Sequence, residues 1–338
     1  MDYGVKTSGE WKTLRSTNYN YKFNMKNGLF VRWGHALKED PQFSPFGPEM
    51  ADIEVSTSCS RGCPWCYKSN MNAGKNMSID TFKEIFRALP NTLTQIAFGI
   101  GDIDANPDLW GIFRYCREKQ VIPNVTINGS RLKAEYANKL VKLCGSVAVS
   151  HYEDDTCFDA VALLAKAGGK QINIHQLMSR ETSHECLELV KKASMDQRLV
   201  HHLNAVIFLS LKQKGRGKTL HPMDAVKFKE LIATAFLRKM NFGFDSCSAN
   251  RFLDVIQDLP NKKHLAMMVE PCEASCFSCY INVDGIAYPC SFLEDQNGTT
   301  GINLLRTQNF LQDIWFSREF IEFRKKLMQK NRSCPEFT

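Results

Sequence analysis

From residue 51 the chain alternates short apolar runs with amphipathic stretches, six times over. Ile53-Glu54-Val55, Gln95-Ile96-Ala97-Phe98, Asn124-Val125-Thr126-Ile127, Ser146-Val147-Ala148-Val149, Ile172-Asn173-Ile174-His175 and Asn204-Ala205-Val206-Ile207-Phe208-Leu209 read as strands. Helices are expected over residues 79–89, 109–118, 132–143, 158–167, 184–192 and 224–237. Ser78 can cap the first, and Ile79, Phe82, Ile85, Phe86 and Leu89 recur at helical spacing. Gly168-Gly169 is a natural stop for the fourth. Such alternation predicts an α/β fold with a parallel sheet, open or rolled into a barrel. Functional residues then belong at the C-terminal ends of the strands.

The flanks differ. Residues 1–50 are polar and irregular, with a hairpin expected over residues 21–31 around Asn27-Gly28, and Pro41, Pro45 and Pro48 marking a loop. Beyond residue 240 a Gly- and Ser-rich stretch leads to a strand pair over residues 280–288 and a closing helix over 310–330. Three regions result: an N-terminal extension (1–50), a strand–helix body (51–240) and a small cysteine-bearing domain (241–338). No stretch approaches the ~18 apolar residues of a membrane helix, and the first residues lack a signal-like apolar run, so a cytoplasmic protein with no membrane partner is expected. The net charge of +7 suits solubility or an anionic partner such as nucleic acid, a nucleotide or an acidic peptide.

Thirteen cysteines narrow the chemistry. In a reducing compartment an odd, high count points to metal binding or catalysis. Cys116, Cys144, Cys157 and Cys186 fall in or beside helices and are expected as small core residues. The others gather in two places. The first is Cys59-Ser60-Arg61-Gly62-Cys63-Pro64-Trp65-Cys66, directly after the first strand. Three thiolates in one tight loop can hold three corners of a cubane and leave its fourth iron open to a ligand. The other reading is zinc, which prefers four closed ligands and would have to recruit His35 or a distant cysteine.

This C-x3-C-x2-C loop, with aromatic Trp65 before the last cysteine, resembles the radical S-adenosylmethionine (SAM) superfamily over about residues 51–240. The resemblance implies a partial (β/α)6 barrel and a [4Fe–4S] cluster on Cys59, Cys63 and Cys66. It implies SAM chelated to the open iron and cleaved reductively to a 5′-deoxyadenosyl radical, with a one-electron donor such as flavodoxin or ferredoxin. The family's second strand ends in a glycine-rich acidic stretch that meets the methionine amino group. Here Phe98-Gly99-Ile100-Gly101-Asp102 stands there in altered order, making Gly99, Gly101 and Asp102 the candidates, with Asp104 as a rival acid. Gly and Asp also favour a plain turn there. Asn128 matches a ribose-contacting position and Ser150 a carboxylate-contacting one.

The second group is Cys272-Glu273-Ala274-Ser275-Cys276-Phe277-Ser278-Cys279, followed by Gly285 and Cys290. The C-x12-G-x4-C spacing resembles the opening of the SPASM auxiliary-cluster domain, or its shorter twitch form. Only Cys334 follows Cys290, so the resemblance implies one auxiliary [4Fe–4S] cluster. Cys247, Cys272, Cys290 and Cys334 are the preferred ligands; Cys272, Cys276, Cys279 and Cys290 are the alternative set, and structural zinc is the alternative metal.

The basic loop 212–218 follows the sixth strand and reads as solvated, or as a holder of a phosphate or carboxylate at the barrel mouth. Arg324, Lys325, Lys326, Lys330 and Arg332 are expected on the exposed face of the last helix. Tyr152 and His175 lie at strand ends, within reach of a substrate or in structural roles. The expected function is hydrogen abstraction from a peptide or small molecule. The N-terminal region is shorter than the leader-binding domain that peptide maturases often carry, which weighs against the peptide. The alternatives are modification of a nucleic acid or nucleotide, and a zinc-binding interaction module.

Overall fold

The computed structural model describes residues 3–296 and 298–335. Strands β1 (Gly4–Ser8), β2 (Trp11–Arg15), β3 (Asn20–Asn24) and β4 (Phe30–Trp33) form an antiparallel sheet in chain order. The β3–β4 turn contains Gly28 at φ +76°, a conformation that glycine adopts without a Cβ clash. Where sequence patterning suggested one hairpin, four strands form. β1 and β2 look irregular in sequence because Thr and Lys occupy their half-buried face, including Lys12. The sheet is pinned to the body by the Tyr21 hydroxyl, which donates to the Thr92 carbonyl at 2.7 Å, and by Arg32, paired with Glu49 at 2.8 Å.

A ten-stranded sheet forms the body. β5 (Met50–Glu54), β6 (Gln95–Gly99), β7 (Ile122–Ile127), β8 (Val147–Ser150), β9 (Ile172–Met178) and β10 (Ala205–Ser210) run parallel in chain order. They alternate with α1 (Ile79–Ala88), α2 (Leu109–Glu118), α3 (Ala134–Leu143), α4 (Asp154–Lys166), α5 (Ser183–Ala193) and α6 (Ala225–Leu237). Local chemistry sets the starts: the Ser78 hydroxyl accepts from the Thr81 N–H at 3.1 Å, and Asp224 accepts from the Lys227 N–H at 2.8 Å.

Alternation along the strands sorts side chains between two faces. Ile53, Ile96, Phe98, Val125, Val149 and Phe208 are buried against the helices. The other face carries Asp52, in register with Ala97 and then Asn124, and Glu54, in register with Gly99. Small and polar residues therefore line the concave side, leaving room there.

Two features depart from the sequence reading. The Gly- and Ser-rich stretch contributes β11 (Phe242–Phe244), which pairs parallel with β10, and then α7 (Ala249–Val255) and α8 (Lys262–Ala266). The closing helix is split: a π turn over Leu311–Trp315 precedes α9 (Arg318–Gln329). Ser317 caps α9, and the Trp315 indole N–H donates to the Ser44 carbonyl at 2.8 Å, which holds the preceding turn apart. On its other edge β5 pairs parallel with β12 (Ser278–Ile281), which continues antiparallel to β13 (Ile286–Tyr288) and β14 (Ile302–Asn303). Among the described residues, no helix is long and apolar enough to cross a membrane.

Candidate active site and second cysteine centre

After β5 the chain loops over the C-terminal ends of β6 to β8 before entering α1, and Cys59, Cys63 and Cys66 lie in this loop. Several contacts fix it there. A Cβ on Gly101 would fall 1.9 Å from the Ser58 carbonyl oxygen and 2.6 Å from Cys59 Cβ, so only glycine allows this approach. A Cβ on Gly99 would lie 3.4 Å from the Glu54 Cα. Asp102 is buried; its carboxylate accepts from the Ser60 N–H at 2.9 Å and from Asn128 Nδ2 at 2.8 Å. Asn128 Nδ2 also points at Cys59 Sγ, 3.9 Å away. Burial alone would raise the Asp102 carboxyl, but these hydrogen bonds and nearby Arg131 outweigh it and hold it below the usual range. The rival Asp104 is exposed and faces Arg131.

The ends of β7 and β8 close the other side. Tyr152 hydrogen-bonds both Ser150 and Cys63, its ring stacks on Trp65 with centroids 6.0 Å apart, and the Arg61 guanidinium lies 4.6 Å above it. Arg61 also donates to Ser130 at 3.0 Å and pairs with Glu153 at 3.1 Å. Burial pushes the Cys63 thiol up, against Tyr152 and Arg61. The structure thus brings Trp65, Asp102, Asn128 and Ser150 around the three cysteines, with Tyr152 as the link between two of them. His175, one strand further, faces Thr126 at 3.4 Å, and burial lowers its pKa to about 4, so it stays neutral.

The basic loop is only partly solvated, with Gln213 and Lys218 exposed. Its backbone turns at Gly215, where φ is +57° and a Cβ would meet the Tyr67 and Cys66 carbonyls at 2.4 and 2.6 Å. Arg216 donates from Nε to the Cys63 carbonyl at 2.7 Å and from a terminal nitrogen to the Asn70 carbonyl at 3.1 Å. Lys212 and Lys214 are buried. The loop is a strap across the cysteine loop: Lys214 and Arg216 donate to carbonyl oxygens, Lys212 pairs with Asp245 at 3.4 Å, and Lys218 stays exposed.

Beside the strap, a cleft of about 540 Å³ separates the cysteine loop from the C-terminal region, with Glu54, Tyr67, Lys68, Lys214, Asp284 and Glu294 among its walls. Lys68 pairs with Glu54 at 3.2 Å and with Glu294, and donates to the Tyr280 hydroxyl at 2.8 Å. Sequence reasoning missed this set. The usable signals were the position of Glu54 at the end of a strand and of Lys68 two residues after Cys66. Tyr280 and Glu294 meet them only through the β5–β12 pairing.

The second centre gathers Cys272 ahead of β12, Cys290 after β13, Cys247 after β11 and Cys334 beyond α9. Burial pushes Cys290 up, and the nearby Cys247, Cys272 and Cys334 add to the shift. Cys247 is pushed up to about 12, by burial first and by Asp245, Cys272 and Cys334 against Lys212, which hydrogen-bonds it. Cys276 is raised to about 11 by burial and shares charge coupling with Cys272, whereas Cys279 is coupled to Asp52 on the barrel side. Charge coupling thus links Cys247, Cys272, Cys290 and Cys334, and Cys276 to Cys272, but among the described residues no three metal-ligating side chains lie close enough together to hold a metal ion. Two arginines expected on the exposed face of the last helix turn inward instead. Arg324 is buried, donating to the Ser275 carbonyl at 2.6 Å, and Arg332 donates to the Cys272 carbonyl at 3.0 Å. Their forked donors satisfy carbonyls that the irregular cysteine loops leave without ladder partners. Cys116, Cys144, Cys157 and Cys186 lie in the core, as expected.

A three-thiol loop at the C-terminal end of a parallel sheet of this order, with a second thiol centre docked on its first strand, defines a radical-type iron–sulfur architecture. Family comparison agrees: residues 53–199 match the radical SAM superfamily and residues 272–336 the SPASM iron–sulfur cluster-binding domain. The chain carries a radical SAM domain and a C-terminal SPASM domain. Its cofactors are accordingly a [4Fe–4S] cluster with SAM, and auxiliary iron–sulfur. Among solved structures it is similar to SuiB of Streptococcus suis, with a TM-score of 0.71 at 13% identity over 95% of this chain and 90% of that one. It is also similar to SuiB bound to precursor peptide SuiA (TM-score 0.73, 14% identity, 99% and 98% covered). A third likeness is to anSMEcpe with bound AdoMet (TM-score 0.59, 14% identity, 82% and 80% covered). At these identities the likeness is one of fold. No curated protein matches the chain.

Proposed function

We propose that the chain is an enzyme that abstracts a hydrogen from a peptide held between the barrel and the SPASM domain. The observation that carries this reading is the convergence of Cys59, Cys63 and Cys66 with Asp102, Asn128 and Tyr152 over a concave, polar sheet face. The donor set fits a cubane: three thiols sit on one loop, and no fourth cysteine follows on it. A cluster held there by Cys59, Cys63 and Cys66 would, with SAM, supply one-electron reductive chemistry that generates the hydrogen-abstracting species. Asp102, kept ionised, suits the methionine ammonium, and Asn128 suits the ribose. Trp65 and Tyr152 stack on each other against the loop, whose three cysteines are half-buried. Glu54, Lys68 and Glu294 offer charges of both signs to a peptide entering the cleft. The fold likeness to SuiB in its complex with a precursor peptide supports the peptide over a small molecule. Cys247, Cys272, Cys290 and Cys334 would hold one auxiliary cluster.

The test is anaerobic reconstitution with iron and sulfide, then dithionite and SAM, with 5′-deoxyadenosine quantified by mass spectrometry. Wild type is expected to form it, and the Cys59→Ala/Cys63→Ala/Cys66→Ala variant is not. A cluster-replete wild type that forms none, with or without added peptides, would refute the reading.

A further inference from the structure

At the opposite end of the barrel, where the strands begin, a groove of about 700 Å³ opens between the N-terminal sheet and the ends of α1 and α2. Val5 and Thr7 of β1 form one wall, Arg87, Tyr115 and Lys119 the other, and Lys12 of β2 lies at its base. Lys12 is only 6% exposed, and its ammonium donates to the Leu93 carbonyl at 2.5 Å. Among the described residues no carboxylate pairs with it, with Arg87 or with Lys119, and none of the lining residues is acidic. A buried ammonium is ordinarily paired with an opposite charge. The C-termini of α1 and α2 supply about half a negative charge each, which leaves the buried Lys12 short of a full counter-charge beside the exposed Arg87 and Lys119. The rest of the lining is partly apolar, including Phe86 and Leu93.

One wall is also a sheet edge. β1 pairs with β2 along its whole length and, among the described residues, has no strand on its other side. An edge of this kind offers unpaired N–H and C=O groups to an incoming chain. We propose that the groove docks an extended acidic peptide segment, which adds a strand to β1 and sets its carboxylates on Lys12, Arg87 and Lys119. Nucleic acid would satisfy the cations, but it has no backbone to pair with β1 and no use for the apolar lining. Strand addition with side-chain pockets is an established mode of peptide capture. The inference is independent of the radical chemistry proposed above.

The test uses the full chain and a short fluorescein-labelled peptide alternating Glu and Val. Fluorescence anisotropy is expected to show saturable binding that weakens with salt. The Arg87→Glu/Lys119→Glu variant, whose changes lie at the surface, is expected to lose about tenfold or more in affinity, as is Lys12→Met. Hydrogen exchange of wild type is expected to show protection of residues 4–8 when the peptide is present. Unchanged affinity in the charge-reversed variant, absence of binding, or binding without protection of β1 would overturn the proposal. So would displacement of the peptide by a single-stranded oligonucleotide at lower concentration.

Discussion

A methyl group at residue 101 would lie 1.9 Å from the Ser58 carbonyl oxygen. Backbone does not yield to such a contact, so the cysteine loop would have to lift off β6. Gly101→Ala is expected to lose the iron of the first centre while retaining that of the second, as read by iron content and visible absorption after anaerobic reconstitution. Two carboxylates nearby show how neighbours decide ionisation. Asp102 has three partners and stays charged. Asp52, on the concave face, has no hydrogen-bond partner among the described residues; its pKa is raised to about 7 by burial and by Glu273. In the unfolded chain an aspartate titrates near 3.9. Between about pH 4 and 7 the folded state therefore holds a proton that the unfolded state has lost, and this group's contribution to stability falls as pH rises through that window. Asp52→Asn is expected to flatten that part of the stability–pH curve, so that the variant gains on wild type at pH 8 relative to pH 4. Parallel curves in urea titrations would show that Asp52 is ionised in the fold.

The strap of residues 212–218 belongs to the scale of elements. Arg216 holds two carbonyls of the cysteine loop, at Cys63 and Asn70. Arg216→Ala frees both, and hydrogen exchange over residues 59–71 is expected to quicken while that over α2 is unchanged. Equal exchange in both proteins would mean the loop is held without the strap. The same loop shows where sequence reading stops. Periodicity, with the Ser78 cap, located α1 to α6 and the six central strands, because caps and apolar spacing act within a few residues; Asp224, read as the first helical residue, is the cap of α6. The three-cysteine loop was equally legible, being contiguous. Four lysines and arginines in seven residues read as solvent-facing, because nothing local reveals carbonyls about 150 residues earlier in the chain. Glu294 and Tyr280 were hidden for the same reason. β1 and β2 were missed because their buried face carries Lys12, where a strand ordinarily places an apolar residue.

At the scale of the whole molecule, the parallel pairing of β12 with β5 joins the C-terminal region to the first barrel strand. It brings the two cysteine centres near each other across one aromatic contact: Tyr67, next to Cys66, packs on Phe292, two residues after Cys290, with ring centroids 4.8 Å apart. It also builds the cleft in which Lys68 meets Glu54 and Glu294. Two thiol sets, each proposed to hold its own cubane, underlie the proposed chemistry. The most direct measurement is iron and sulfide content after anaerobic reconstitution of wild type and of two variants, one with Cys59, Cys63 and Cys66 changed to Ala, the other with Cys247, Cys272, Cys290 and Cys334 changed to Ala. Wild type is expected to hold about eight irons per chain and each variant about four. About four irons in wild type, the same count in either variant as in wild type, or zinc in place of iron would contradict it.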